Sequence, residues 1–229
     1  MNNAIVLISG GLDSVVLAHY LKKVENIEKL VLLFINYGQK ALEEELFCVK
    51  KTAEILNSEL KIINLKWLGE NSTSLINQDN KNMRDKNDLI SWYVPCRNSL
   101  FLLIGLAIAE SNFISKKEKY DIYLGIKYEG ELRFKDTTPE FLKKMNEIIP
   151  YCTQSENFEF KAPFLEKDKE ELIEIAKKLK INLRETYSCY IGAGFKKEIP
   201  VHCGVCSACK ARKKAFKFSN FEDSSFYEK

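Results

Sequence analysis

Apolar residues along this chain fall in short blocks, then at helical intervals, and the alternation repeats. Ala4 to Ile8 is a continuous apolar run and reads as a short buried strand. From Leu12 onward, Leu12, Val15, Val16 and Tyr20 recur at the spacing of one helix face. Leu30 to Ile35 predicts a second strand, Leu42 to Leu56 an amphipathic helix, and Leu60 to Leu65 a third strand. Asn71 to Asp88 is polar and charged, which predicts a mobile loop, and loops of that length often cover a site. Ser99 to Ser111 is a mostly apolar helix, expected to be buried on most sides. Asp121 to Ile126 predicts a further strand. Thr138 before Pro139 marks a helix start, with the threonine as cap and the proline in the first turn. Asp168 followed by Glu171 marks another helix, running through Leu179 with Leu172, Ile173, Ile175, Ala176 and Leu179 on its buried face. Strands alternating with helices predict an α/β fold, a doubly wound parallel sheet covered on both faces. After about residue 187 the rhythm breaks, and a small cysteine-rich C-terminal module is expected.

Length and composition narrow this picture. The 229 residues suit one domain spanning 1–229, including a cysteine knuckle at about 187–217. Hydrophobic and charged fractions of 45% and 29% are ordinary for a soluble globular chain. A net charge of +3 is too small to argue for a nucleic acid or a membrane surface as partner. The N-terminal apolar run has no basic residue before it and ends in Ser-Gly-Gly, so it reads as a strand rather than an export signal. The longest apolar stretch, Leu100 to Ala109, is about half of a membrane span. A reducing cytoplasm is therefore the expected location. There the seven cysteines serve as metal ligands, catalytic groups or core residues rather than as disulfides.

The turn after the first strand carries the first candidate chemistry. In Ile8-Ser9-Gly10-Gly11-Leu12-Asp13-Ser14-Val15 the two glycines lie where open α/β sheets place ligands. Glycine lets the backbone turn tightly and approach a ligand closely. The helix that follows points its free N–H groups at the turn, making an anion site, and Ser9 and Ser14 add hydroxyl donors. Asp13 would repel a bare phosphate but attract one that carries Mg²⁺. The same residues can also be simple helix caps; the complete Ser-Gly-Gly-Leu-Asp-Ser favours the phosphate. The Lys-Ser/Thr ending of a Walker loop is absent.

Cys189, Cys203, Cys206 and Cys209 are spaced C-x13-C-x2-C-x2-C. Four thiolates complete a closed tetrahedral Zn²⁺ site, structural because no position is left for water. An iron–sulfur cluster takes the same ligands, but no redox partner is apparent elsewhere in the sequence. His202 is expected to pack or hydrogen-bond beside this centre. Cys48 and Cys152 read as small core residues. Lys210, Arg212, Lys213, Lys214 and Lys217 follow the knuckle, either as a phosphate-binding patch or as a solvated helix face.

The loop resembles the pyrophosphate-binding loop of the N-type ATP pyrophosphatases, which split ATP between its α and β phosphates. With the knuckle, the whole chain resembles the 7-cyano-7-deazaguanine synthase family, QueC. Tyr37-Gly38-Gln39-Lys40 matches the family's Tyr-Gly-Gln-Arg. Tyr93-Val94-Pro95-Cys96-Arg97-Asn98 resembles its Val-Pro-Gly/Ala-Arg-Asn, and Asp136 to Phe141 its Asp-x-x-Pro-Glu-Phe. Thr186-Tyr187-Ser188-Cys189-Tyr190 resembles its Thr-Trp-Ser-Cys-Tyr, and His202 to Arg212 its terminal knuckle. Departures are Ala41 for a histidine, Cys96 for a small residue, Gly125-Ile126-Lys127 for Gly-x-Asn and Phe134-Lys135 for Tyr-Pro. Cys96 reads as a packing substitution ahead of a nucleophile.

The resemblance implies ATP with Mg²⁺ held at residues 8–15, structural Zn²⁺ on the four cysteines, and a homodimer. It implies a reaction in which 7-carboxy-7-deazaguanine and ammonia become 7-cyano-7-deazaguanine through adenylated intermediates. Asp13, Ser14 and Arg97 are then the expected catalytic residues. Tyr37, Gln39, Arg97, Asn98 and Asp136 are the expected substrate contacts. Two alternatives stay open: a paralogue that adenylates a related acceptor and transfers it to a protein or nucleic acid, and a zinc-stabilised binding module without catalysis.

Overall fold

The computed structural model of the chain describes residues 2–78, 90–128, 134–155 and 158–228. Five parallel strands form the central sheet: β1 (Ala4–Leu7), β2 (Leu30–Asn36), β3 (Glu59–Asn64), β4 (Asp121–Leu124) and β5 (Phe160–Lys161), in the order β3-β2-β1-β4-β5. Register pairs Ala4 with Leu30 on one side of β1 and with Asp121 on the other. Period-two alternation sends the strand residues to two cores. Ile5, Val31, Leu33 and Ile35 face one; Ala4, Val6, Leu30, Leu32 and Phe34 face the other.

The second core is closed by α1 (Leu12–Lys23), α2 (Leu42–Leu56), α6 (Lys169–Lys178) and α7 (Ser207–Phe218). The first is closed by α4 (Arg97–Lys116) and α5 (Pro139–Cys152). A short α3 (Lys66–Glu70) follows β3. Burial on both faces explains why β1 and β2 read as unbroken apolar runs. The chain winds outward through β2 and β3, then returns across β1 to β4. This reversal opens a crevice at the carboxyl ends of β1 and β4, the switch point where such sheets bind ligands.

The helix starts follow their sequence signals. Thr138 Oγ1 accepts from the amide of Phe141 at 3.1 Å, and Glu171 Oε2 accepts from the amide of Asp168 at 2.7 Å. Three sequence expectations are corrected. Helix α4 is longer than its apolar run and is buried on one face only, through Asn98, Leu102, Gly105, Leu106 and Ala109. Leu103, Ile104 and Ile108 stay half-buried and Ile114 is 60% exposed, because the sheet covers only one side. By length and composition α4 could cross a bilayer, yet its buried face packs on β4. Cys152 is exposed at the end of α5, beyond that helix's buried side, rather than in the core. Cys96 is exposed as well, with φ 58°, in the left-handed region that a glycine would occupy without strain. The expected loop of Asn71 to Asp88 lies partly outside the described residues, at positions 79–88; within 71–78, residues 71 and 75–77 are in turns.

The C-terminal module carries α7 and three short strands, β6 (Phe195–Lys196), β7 (Ile199–His202) and β8 (Phe226–Tyr227). It is threaded into the rest of the protein. The amide of Tyr187 donates to the carbonyl of Gly10 at 2.8 Å, and the amide of Gly194 to Glu44 Oε1 at 2.7 Å. Phe195 meets Phe47 of α2 edge to face.

Candidate active site

The turn between β1 and α1 is held open by what glycine lacks. Gly10 has φ +76°, and a Cβ there would lie 2.6 Å from the carbonyl oxygen of Glu45. Across the switch point, a Cβ on Gly125 would lie 2.9 Å from the Cα of Ser14. Both close approaches clamp the start of α1 between β1 and β4, with its N-terminal amides facing the crevice. Ser14 Oγ takes the amide of Ser9 at 3.2 Å and lies 3.1 Å from Ser9 Oγ, while Ser9 Oγ accepts from the amide of Gly11 at 3.3 Å. The turn is therefore pre-shaped. Ile8, Leu12 and Val15 direct their side chains into the core, so only their backbone can face a ligand.

Asp13 sits at the mouth of this cradle. Its Oδ2 accepts from Lys169 Nζ at 3.0 Å, whereas its Oδ1 is buried without a hydrogen-bond partner. An orphaned buried carboxylate oxygen beside an anion cradle is the donor a hard divalent cation needs. Lys169 opens α6, and Lys127 reaches the cap of the same helix, 3.4 Å from Asp168 Oδ1. Two lysines from different elements thus converge at the rim where phosphate charge would accumulate.

The expected substrate residues meet in one cluster. Arg97 opens α4 and donates to the Tyr37 hydroxyl at 3.4 Å. Burial pushes the Tyr37 hydroxyl up to about 12, so it stays protonated. Gln39 donates to the carbonyl of Ile35 at 3.3 Å and to Glu45 Oε2 at 2.9 Å, and accepts from the amide of Tyr37 at 2.9 Å. Asn98 Nδ2 donates to the carbonyl of Asp136 at 3.1 Å. Burial raises the Asp136 carboxyl while the Arg97 charge opposes it. Tyr93 and Phe134 stack with ring centroids 5.7 Å apart. Arg97 and Asp136 are half-buried, so the cluster is not sealed in the core.

The four knuckle cysteines are all buried, with their sulfur atoms within 4.8 Å of one another. Backbone amides of Cys203, Cys206 and Cys209 each donate to a cluster sulfur at 3.4 Å. Such donors stabilise thiolates, and the group can hold a metal ion. His202 stacks between Tyr187 and Tyr227 and accepts from the amide of Ser188 at 3.1 Å, outside the ligand set. Arg212 is not available to a phosphate. It is buried, pairs with Asp223 at 3.1 Å and donates to Thr186, Ser188, Leu183 and Ser225.

The family model for queuosine biosynthesis protein QueC matches residues 3–220. The chain belongs to the QueC family. A 7-cyano-7-deazaguanine synthase of Methanosphaera stadtmanae is 35% identical over 99% of this chain and 98% of its own length. One from Methanococcus maripaludis is 34% identical, with 98% of each chain covered. Among solved structures, NMN synthetase from Francisella tularensis superposes with a TM-score of 0.48 at 12% identity, covering 97% of this chain and 79% of that one, too distant a likeness to add anything.

In this QueC chain the residues singled out in the sequence come together around the switch point, beside others that carry no local signal. Lys169 lies in the first turn of α6, and Glu45 is one of three consecutive glutamates at the start of α2. Neither carries a local signal, because each reaches the cleft through the packing of its helix.

Proposed function

We propose that the protein converts 7-carboxy-7-deazaguanine, ammonia and ATP to 7-cyano-7-deazaguanine. The observation that carries this reading is Asp13: a carboxylate oxygen left free beside a glycine cradle, in a chain of this family. A carboxylate is a poor electrophile. Its oxygen attacks the α-phosphorus of ATP, pyrophosphate departs, and an acyl adenylate forms. Ammonia displaces AMP to give the amide. A second activation, at the amide oxygen, lets AMP leave again as the carbon–nitrogen triple bond forms.

The turn at Ser9, Gly10, Gly11 and Ser14 would hold the departing pyrophosphate through backbone amides and hydroxyls, with Lys169 beside it. Ile8, Leu12 and Val15 complete the turn from the core side. Asp13 would hold Mg²⁺, which when bound offsets charge on the phosphates. Arg97 would grip the substrate carboxylate, oriented by Tyr37. Asn98 and Asp136 would bound the deazaguanine, and Gln39 sets the loop that carries Tyr37. Zn²⁺ on Cys189, Cys203, Cys206 and Cys209 would fix the segment whose Tyr187 amide supports Gly10. The half-exposed apolar side of α4 suits a homodimer contact, and a cytoplasmic setting suits the free thiols.

The test is mass spectrometry of the product from protein, Mg-ATP, the acid and ammonium. A nitrile supports the reading; pyrophosphate release with no change in the acid would refute it.

A further inference from the structure

Turning ammonia into a nitrile nitrogen removes every hydrogen it carries: one as the amide forms and two more on the way to the triple bond. In neutral water ammonia is mostly ammonium, which has no lone pair to attack with. The cleft therefore needs a proton acceptor near the activated carbon. The loop offers donors, Asp13 is committed to Lys169 and the phosphate end, and Arg97 cannot accept a proton. The carboxylate of Asp136 is hydrogen-bonded by the backbone amides of Asp136 and Asn98.

Glu45 stands where the two ends of the cleft meet. Its backbone abuts the loop, with the carbonyl 2.6 Å and the Cα 3.2 Å from a Cβ built on Gly10. Its Oε2 accepts from Gln39, whose own oxygen holds the amide of Tyr37, and the Tyr37 hydroxyl meets Arg97. Unlike its buried neighbour Glu44, which is engaged by Gly194, Glu45 as a residue is half-buried. Burial lifts its carboxyl to about 8; the Gln39 hydrogen bond and the Arg97 charge oppose the rise, and Glu44 and Cys189 add to it. At neutral pH only its ionised fraction can accept a proton, and that fraction is a stronger base than a surface carboxylate.

We propose that Glu45 is the base that takes protons from the attacking nitrogen, an assignment that rests on the adenylation reading above. As the nitrogen adds to the acyl adenylate, a C–N bond forms and the C–O bond to AMP breaks, its electron pair leaving on the AMP oxygen. The N–H proton passes to Glu45 and then to solvent. The same group serves again as the activated amide loses its last protons.

Glu45→Gln tests this, because glutamine keeps the acceptor for Gln39 but not the base. Hydroxylamine is the second probe: it is unprotonated at neutral pH and traps an acyl adenylate as a hydroxamate without help. The variant should keep acid-dependent pyrophosphate release and hydroxamate formation, and should lose nitrile formation from ammonium by about 100-fold at neutral pH. Raising the pH, which frees ammonia, should restore much of that loss. Wild-type nitrile formation by the variant at neutral pH would overturn the assignment. So would equal loss of hydroxamate and nitrile, which would make Glu45 part of activation or of the scaffold. If the wild-type protein itself makes neither pyrophosphate nor hydroxamate from the acid, the adenylation reading fails, and the role of Glu45 fails with it.

Discussion

Lys169 Nζ lies 3.0 Å from Asp13 Oδ2, although 156 positions separate the two residues in the chain. The pair joins the start of α6 to the start of α1 beside the glycine turn. Both side chains are about a quarter exposed, so the bond contributes less than about 1 kcal/mol to stability. In the proposed reaction its value lies in poise: a phosphate arriving with its cation would take Lys169 as donor while Asp13 turned to the metal. Lys169→Ala should therefore lower kcat/KM for ATP by about 100-fold. Its melting temperature should stay within a few degrees of wild type. Steady-state kinetics with calorimetry checks both, and a large drop in melting temperature would mean that the pair is structural.

Gly10 should tolerate no side chain. Gly10→Ala meets the carbonyl of Glu45 and must hold a left-handed φ, which alone costs roughly 1–2 kcal/mol. Gly194 has a similar φ of +74° but nothing within 4 Å of a built Cβ, so Gly194→Ala should show the conformational cost alone. Denaturant melts of the two variants separate clash from strain: the Gly10 variant should be the less stable and the only one to lose ATP-dependent activity.

How much of this could be read from the chain itself depended on distance along it. The glycine turn is local, and a strand, two glycines and a helix start are enough to specify it. The four cysteines are spaced by the geometry of their own knuckle. The lysine that faces Asp13 was not legible, because it depends on α6 packing beside α1, which no periodicity in either helix dictates. The C-terminal module was expected as an appendage, but the Tyr187 amide on the Gly10 carbonyl makes it a support of the glycine turn. Cys96 misled for a backbone reason: its left-handed φ turns the thiol outward, where sequence suggested packing.

That coupling between tail and loop has a consequence for metal removal. Cys206→Ala should abolish binding of one Zn²⁺ per chain and lower the melting temperature. It should also weaken ATP binding, although Cys206 lies outside the phosphate cradle. Elemental analysis and nucleotide titration check this. Recovery of iron with sulfide in place of zinc would contradict the metal assignment.

His19 gives the fold an acid limit. Buried in α1 with its Nδ1 unpartnered, it is held down at about 4 by burial and by the Lys23 charge. Between the unfolded value of 6.5 and about 4, the unfolded chain binds a proton that the folded chain refuses. Stability is thus complete above that window and falls as pH drops through it, by on the order of 3 kcal/mol. His19→Leu should flatten this part of the stability profile; an unchanged acid slope in the variant would assign the loss to other groups.

In the proposed reaction AMP is joined to an oxygen of the substrate acid. Heavy oxygen placed in the carboxylate of 7-carboxy-7-deazaguanine follows that bond directly. Mass spectrometry after turnover should find the label in AMP, accompanied by nitrile and absent with Asp13→Ala. Label in inorganic phosphate, or AMP formed without label, would contradict it.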